Sequence, residues 1–209
     1  MKLPVLHVLV TDEVAAEPEF ERRALDIQER CGADLAFHLR LRRTPVRRVL
    51  ALAESLEEGA VESDGWLVVN HRLDIALAVG ADAVQLGRGA LPIGAVRDVA
   101  GESLRIGASV HDLPTADRRR LEGADYLVAG SVYETASHPD TPAAGLELIE
   151  RLAPMELPVV AIGGITADRL PDVVAAGAAG VAVIGAVWNA PRPIEAAAAL
   201  CAALAGAGR

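Results

Sequence analysis

Four stretches of the chain repeat one pattern: CGADLAFHL at 31–39, VGADAVQLG at 79–87, EGADYLVAG at 122–130 and AGAAGVAVIG at 176–185. Each sets a Gly-Ala pair, then Asp or a small residue, ahead of an apolar run. Glycine at a helix end accepts the left-handed turn that residues with side chains resist. A short unbroken apolar run is what a strand buried on both faces presents. Gly32, Gly80, Gly123 and Gly177 lie 48, 43 and 54 residues apart, about twice the length of one strand–helix unit. Another unit therefore sits between each pair.

The intervening strands read as 6–10, 66–70, 104–109 and 159–163. Helical patterns cover 18–30, 45–58, 73–79, 93–100, 114–121, 144–152, 167–176 and 193–204. Eight strands alternating with eight helices predict an α/β fold, a single-domain (β/α)8 TIM barrel over 1–209 with no linker. A doubly wound sheet is the alternative and leaves a strand or two unexplained. Aromatic residues are 3% of the chain while hydrophobic ones are 52%, so alanine-rich helices must pack on branched aliphatic strands.

A formal charge of −9 argues against nucleic acid, because a phosphate backbone needs a basic face. The apolar start is cut by Pro4 and His7 and reads as a strand, not a secretory leader. No stretch approaches the roughly 20 apolar residues of a membrane span. Cys31 and Cys201 are expected to be reduced, and a cytoplasmic protein is expected. CxxC, HExxH, GxSxG and P-loop patterns are absent, which leaves zinc hydrolase and nucleophilic serine chemistry without support.

In this barrel, chemistry sits at the C-terminal strand ends and phosphate between the loops after strands 7 and 8. Gly163 and Gly164 follow the seventh strand, and Gly185 follows the eighth. Bare backbone N–H groups there can approach an anion. Alternation in the second strand puts Leu35, Phe37, Leu39 and Leu41 on one face and Ala36, His38, Arg40 and Arg42 on the other. The apolar set must meet the helices, so His38 and Arg40 point into the barrel. An unpaired buried charge is costly, and pairing Arg40 with a ligand at the open mouth removes that cost. Asn70, Gln85, Ser109 and His111 reach the same rim by the same count. Trp66, Trp188 and His7 read as packing residues, and Arg47 and Arg48 as solvated cations.

The chain resembles the thiamine phosphate synthase and TenI superfamily over nearly its whole length. The matching stretches are FHLRLR at 37–42, VNHRLDIAL at 69–77, GADAVQLG at 80–87, IGASVH at 106–111, ADYLVAGSVYET at 124–135, PVVAIGGITADRL at 158–170 and GAAGVAVIGAV at 177–187. The resemblance implies a TIM barrel that binds a thiazole phosphate through Gly163, Gly164, Ile165, Ile184 and Gly185. The synthase branch couples a pyrimidine pyrophosphate to that thiazole phosphate with Mg²⁺ held by carboxylates. Here its NDR is Asn70-His71-Arg72, its QED is Arg88-Gly89-Ala90, and its loop lysine falls at His138.

Loss of these charged groups points to the TenI branch and a thiazole tautomerase that moves a proton on a thiazole carboxylate phosphate, with Arg40 as carboxylate clamp. The catalytic histidine of that branch falls at Ser131. His71 and His138 are then the first candidates for the acid–base group, with His111 and His38 also near the rim. Two alternatives stand beside it: a thiamine phosphate synthase with an unorthodox pyrophosphate site, and a non-catalytic binder of thiazole or thiamine phosphates. No cofactor or metal is expected, Mg²⁺ entering only under the synthase reading. The expected partner is the small-molecule thiazole phosphate, with no nucleic acid or membrane, and the resemblance implies a homodimer.

Overall fold

Each apolar run becomes a parallel strand, buried along nearly all of its length. In the computed structural model, which describes residues 2–135 and 142–207, the chain begins with β1 (Leu6–Thr11), α1 (Asp12–Ala15), α2 (Phe20–Cys31), β2 (Leu35–Arg40), α3 (Val46–Ser63), β3 (Trp66–Asn70), α4 (Leu73–Val79) and β4 (Ala83–Leu86). It continues with α5 (Ile93–Ala100), β5 (Arg105–Val110), α6 (Leu113–Leu121), β6 (Tyr126–Gly130), α7 (Gly145–Leu152), β7 (Val159–Ile162), α8 (Leu170–Ala175), β8 (Gly180–Val183), α9 (Gly185–Trp188) and α10 (Pro193–Ala207). The strands pair in sequence order and close, β8 against β1. The fold is the expected (β/α)8 TIM barrel.

Two short helices were not foreseen, α1 and α9, each following a strand directly. The helix expected over 167–176 divides into a 3-10 turn at Ala167–Arg169 and α8, which carries a proline in its first turn. α3 runs past its expected end at 58 to Ser63. Gly59 explains why the packed helix continues: a β-carbon there would meet Leu25 Cδ2 of α2 at 2.7 Å, so the missing side chain lets α2 and α3 approach closely.

Alternation sorts the apolar residues into two populations. Phe37, Leu39, Leu67, Ile106 and Leu127 face the helices. Leu9, Trp66, Val68, Tyr126, Val128 and Val160 fill the barrel. Trp66 and Trp188 pack as expected. Trp188 Nε1 donates to Leu9 O at 2.9 Å, and its ring stacks near Phe37 with centroids 6.0 Å apart. Cys31 and Cys201 are both free thiols. No helix among the described residues is long and apolar enough to cross a membrane.

The repeated Gly-Ala-Asp serves the N-terminal face. Gly32, Gly80, Gly123 and Gly177 all take positive φ, and in the second and third copies the aspartate accepts an N–H from the neighbouring strand. Leu67 N donates to Asp82 Oδ2 at 2.9 Å and Ile106 N to Asp125 Oδ2 at 2.7 Å. Arg97 then ion-pairs with Asp125 at 2.7 Å. These acids hold strands in register far from the mouth.

Glu57 of α3 lies near Asp82. Burial and the Asp82 carboxylate push the Glu57 carboxyl up to about 7, and its Oε2 is buried without a partner among the described residues. The folded-state value lies above the unfolded value of about 4.3. Stability is therefore present in full below that unfolded value and declines as pH rises through about 7. Glu57→Gln mimics the protonated acid, and is expected to raise Tm by about 2–4 °C near pH 8 and by nothing near pH 4. Identical melting shifts at the two pH values would rule this out.

Candidate functional site

A polar column runs up the barrel interior. His7 and His38 are 0% and 1% exposed. Pro4 O can only accept, so His7 Nε2–H donates to it at 3.0 Å. His7 Nδ1 is then the acceptor for His38 Nε2–H at 2.7 Å. Desolvation lowers His7 to about 4 and holds His38 well below its ordinary value, with the His7 charge adding to the effect. Both rings are neutral. His38 was expected at the rim to meet substrate. It lies a layer below, closed from solvent, and reaches the mouth through the Asn70 side chain. The strand pairing places it beside Val68, two residues beneath the ends of β2 and β3, and so overturns the rim position.

Gln85 Nε2 donates to Ser109 Oγ at 3.0 Å, which brings these two predicted residues together as one unit. Gln85 Oε1 and Asn70 Oδ1 are buried without a partner among the described residues. An unsatisfied buried oxygen is unfavourable, so the site below the mouth is prepared to receive a donor. Gly107 makes the room: a β-carbon there would collide with the Tyr126 hydroxyl and Gln85.

The mouth carries cations on one side. Arg40 ends β2 beside Thr11 of β1, and burial, with Arg42 close by, lowers its guanidinium from the usual value. Neither Arg40, Arg42 nor Arg88 has an ion-pair partner among the described residues. The loop after β2 is anchored by Asp12, which accepts from Arg42 N at 3.0 Å, Thr44 N at 2.9 Å and Thr44 Oγ1 at 2.7 Å. These bonds outweigh desolvation and hold the Asp12 carboxyl far below its usual range. Arg72, by contrast, is bound bidentately by Asp74 at 2.8 and 2.6 Å. Asp12 was not singled out in the sequence; an acid directly after a rim strand was its only signal.

The other side is a glycine-lined loop. Gly163 and Gly164 take φ of 106° and 63°. Val132 N donates to Ile162 O at 2.9 Å and Tyr133 N to Gly163 O at 3.0 Å, so β6–β7 pairing extends into the loop. The N–H groups of Gly164 and Ile165 donate to no backbone carbonyl among the described residues. Gly185 opens α9, with Ile184 as its N-cap, and the first N–H groups of a helix have no internal acceptor. Arg169 braces this loop, its Nη1 donating to Gly164 O while the guanidinium lies 4.3 Å over the Tyr133 ring. Arg169 was missed because nothing in its local sequence separates it from an ordinary surface cation.

The remaining candidates scatter. His71 sits at the rim in left-handed backbone at φ 66°. Its N donates to Gln85 O at 3.0 Å. Partial burial and then the charges of Arg42 and Arg40 hold its imidazole below the ordinary value. His111 Nδ1–H donates to Gly130 O, and the ring lines a side cavity of about 220 Å³ with Glu147 and Arg151 between α6 and α7. Ser131 packs against Gly163, where a β-carbon would meet Ser131 Cβ at 2.6 Å, so it shapes the loop. His138 lies outside the described residues.

The family model described as thiamine monophosphate synthase matches residues 8–187. A thiamine-phosphate synthase of Methanoculleus marisnigri is 41% identical over 86% of this chain and 85% of its own. One from Pyrococcus furiosus is 38% identical over 88% and 87%. A solved structure described as thiamine phosphate pyrophosphorylase from Pyrococcus furiosus superimposes with a TM-score of 0.86 at 35% identity, covering 97% of this chain and 96% of that one. A 3-hexulose-6-phosphate synthase at 21% identity and TM-score 0.71 shares the fold. These relatives overturn the tautomerase and TenI-branch expectation. That expectation rested on a few lost acids, whereas the synthase likeness extends over the whole scaffold.

Proposed function

The chain belongs to the thiamine monophosphate synthase family, and from that membership we propose that it is a transferase coupling a pyrimidine pyrophosphate to a thiazole phosphate. One observation carries the reading: the mouth has two separate regions suited to anions, free guanidinium groups at β2–β4 and free main-chain N–H groups at β7–β8. Two phosphorylated substrates need two such regions.

Gly163, Gly164, Ile165, Ile184 and Gly185 hold the thiazole phosphate through backbone N–H groups. Arg40 faces the pyrophosphate. Asn70 Oδ1 and Gln85 Oε1, both open, accept from the pyrimidine amino group, and Ser109 and His38 keep these two amides oriented. The thiazole ring nitrogen attacks the methylene carbon that bears the pyrophosphate. A C–N bond forms as the C–O bond breaks, and the electron pair leaves on the pyrophosphate oxygen. Charge grows on that oxygen, so a fixed cation beside it lowers the barrier.

The family resemblance implies Mg²⁺ on carboxylates after β3 and β4. Those positions hold His71 and Ala90, and among the described residues no three His, Cys, Asp or Glu side chains converge as a metal site. A hard cation needs oxygen ligands, so the donor set does not fit it.

Purified protein given both substrates is expected to release pyrophosphate in step with the coupled product, followed by mass spectrometry. No product in the presence or absence of Mg²⁺ refutes the reading. Arg169→Ala is expected to raise KM for the thiazole phosphate about tenfold with kcat almost unchanged, because one charge-assisted bond to the loop is lost. A fall in kcat with KM constant speaks against that bracing role. The same membership supports a homodimer, which light scattering tests.

A further inference from the structure

We propose that the guanidinium groups of Arg40, Arg42 and Arg88 hold the pyrophosphate of the pyrimidine substrate in place of a divalent cation, so that coupling proceeds without metal. This rests on the synthase reading above.

The three cations come from one arc of the rim. β2, β3 and β4 are neighbours, with Leu39 beside Val69 and Asn70 beside Gln85. Arg40 ends β2 and Arg42 lies two residues on. Across from them, His71 follows β3 and feels the charges of both. Its ring lies against Gly87, where a β-carbon would meet Cε1 at 2.6 Å, and Arg88 is the next residue. The two positions where the resemblance expects acids thus carry an imidazole and a loop that brings a guanidinium.

The charges balance. A pyrophosphate ester carries about three negative charges at neutral pH, and three guanidinium groups match them. The acids facing this arc are already engaged. Asp12 is held by the backbone of Arg42, Arg43 and Thr44, and Glu13 pairs with Arg43. In the free protein burial and the Arg42 charge disfavour the Arg40 guanidinium, and the weaker attraction of Asp12 and Glu13 leaves it below its usual value. Like charges a few ångströms apart near a protein surface are unfavourable, and an incoming polyanion removes that repulsion. Guanidinium suits the task because it is permanently charged and binds phosphate oxygens in pairs. Mg²⁺ would add charge to an arc that is already positive and whose described carboxylates, Asp12 and Glu13, are engaged by the loop after β2.

Calorimetry with inorganic pyrophosphate and metal-stripped protein in EDTA tests the site. Binding without metal is expected, weakened about tenfold by Arg42→Ala and by Arg88→Ala and unchanged by Arg47→Ala on α3. Arg42 and Arg88 are exposed, and melting curves check that the variants fold. Coupling in EDTA is expected within roughly threefold of the rate with Mg²⁺, and the pair His71→Asp with Ala90→Asp is expected to create a Mg²⁺ requirement. Pyrophosphate binding that appears only with Mg²⁺, or that ignores both arginine variants, overturns the proposal. Coupling that requires Mg²⁺ overturns it while leaving the synthase reading intact. No coupling under either condition defeats the synthase reading, and the proposal for this substrate falls with it.

Discussion

Arg40→Gln lowers kcat/KM for coupling by about two to three orders of magnitude, the usual effect of removing a charged donor aimed at a leaving oxygen in a partly dry site. The protein itself should lose no stability. Arg40 is half-buried and has no acid bonded to it among the described residues, and both burial and Arg42 disfavour its charge. A neutral side chain relieves both, so Tm holds or rises by a degree or two. This pairing of lost activity with retained stability is what a residue placed for a ligand predicts. A residue placed for packing predicts the reverse. Kinetics with the pyrimidine pyrophosphate varied, alongside thermal melts, decide between them. Activity within threefold of wild type means that Arg40 does not face the leaving group.

Gly163→Ala should cost about 100-fold in kcat/KM through the thiazole phosphate, with KM for the pyrimidine substrate unchanged. The φ of 106° lies beyond the left-handed region that an alanine tolerates. The new methyl would also stand 2.6 Å from Ser131 Cβ, and Gly163 O is tied to Tyr133 N. The loop must shift, and the N–H groups of Gly164 and Ile165 shift with it. Gly80→Ala is the control. It has φ 74° with open space around it, so it should cost about 1 kcal/mol of stability and leave both KM values alone. Equal kinetics in the two variants would show that the glycine pair only turns the chain.

Much of the site was legible because strands alternate. Once the apolar face of β2 was given to the helices, Arg40 had to enter the barrel, and the same count brought Asn70, Gln85 and Ser109 to one end. Depth was not legible. His38 and Arg40 share a face two residues apart, yet one is sealed beneath the mouth and the other opens to it, because the stagger of neighbouring strands sets where the rim falls. The activity was misread for a related reason. The acids missing at His71 and Ala90 were weighed as lost chemistry, before Arg42 and Arg88 could be placed beside the gap.

From the residues alone the barrel was the better reading, since four Gly-Ala turns with apolar runs account for eight buried parallel strands, where a doubly wound sheet leaves a strand or two over. The sequence also determined which strand faces are polar, because side chains alternate with a period of two. The folded chain was needed to show which cations lack partners among the described residues, that Asp12 anchors the loop carrying Arg42, and that Arg169 braces Gly164. These contacts join residues from different strands and loops, and local periodicity carries no information about distances between segments that meet only when the barrel closes.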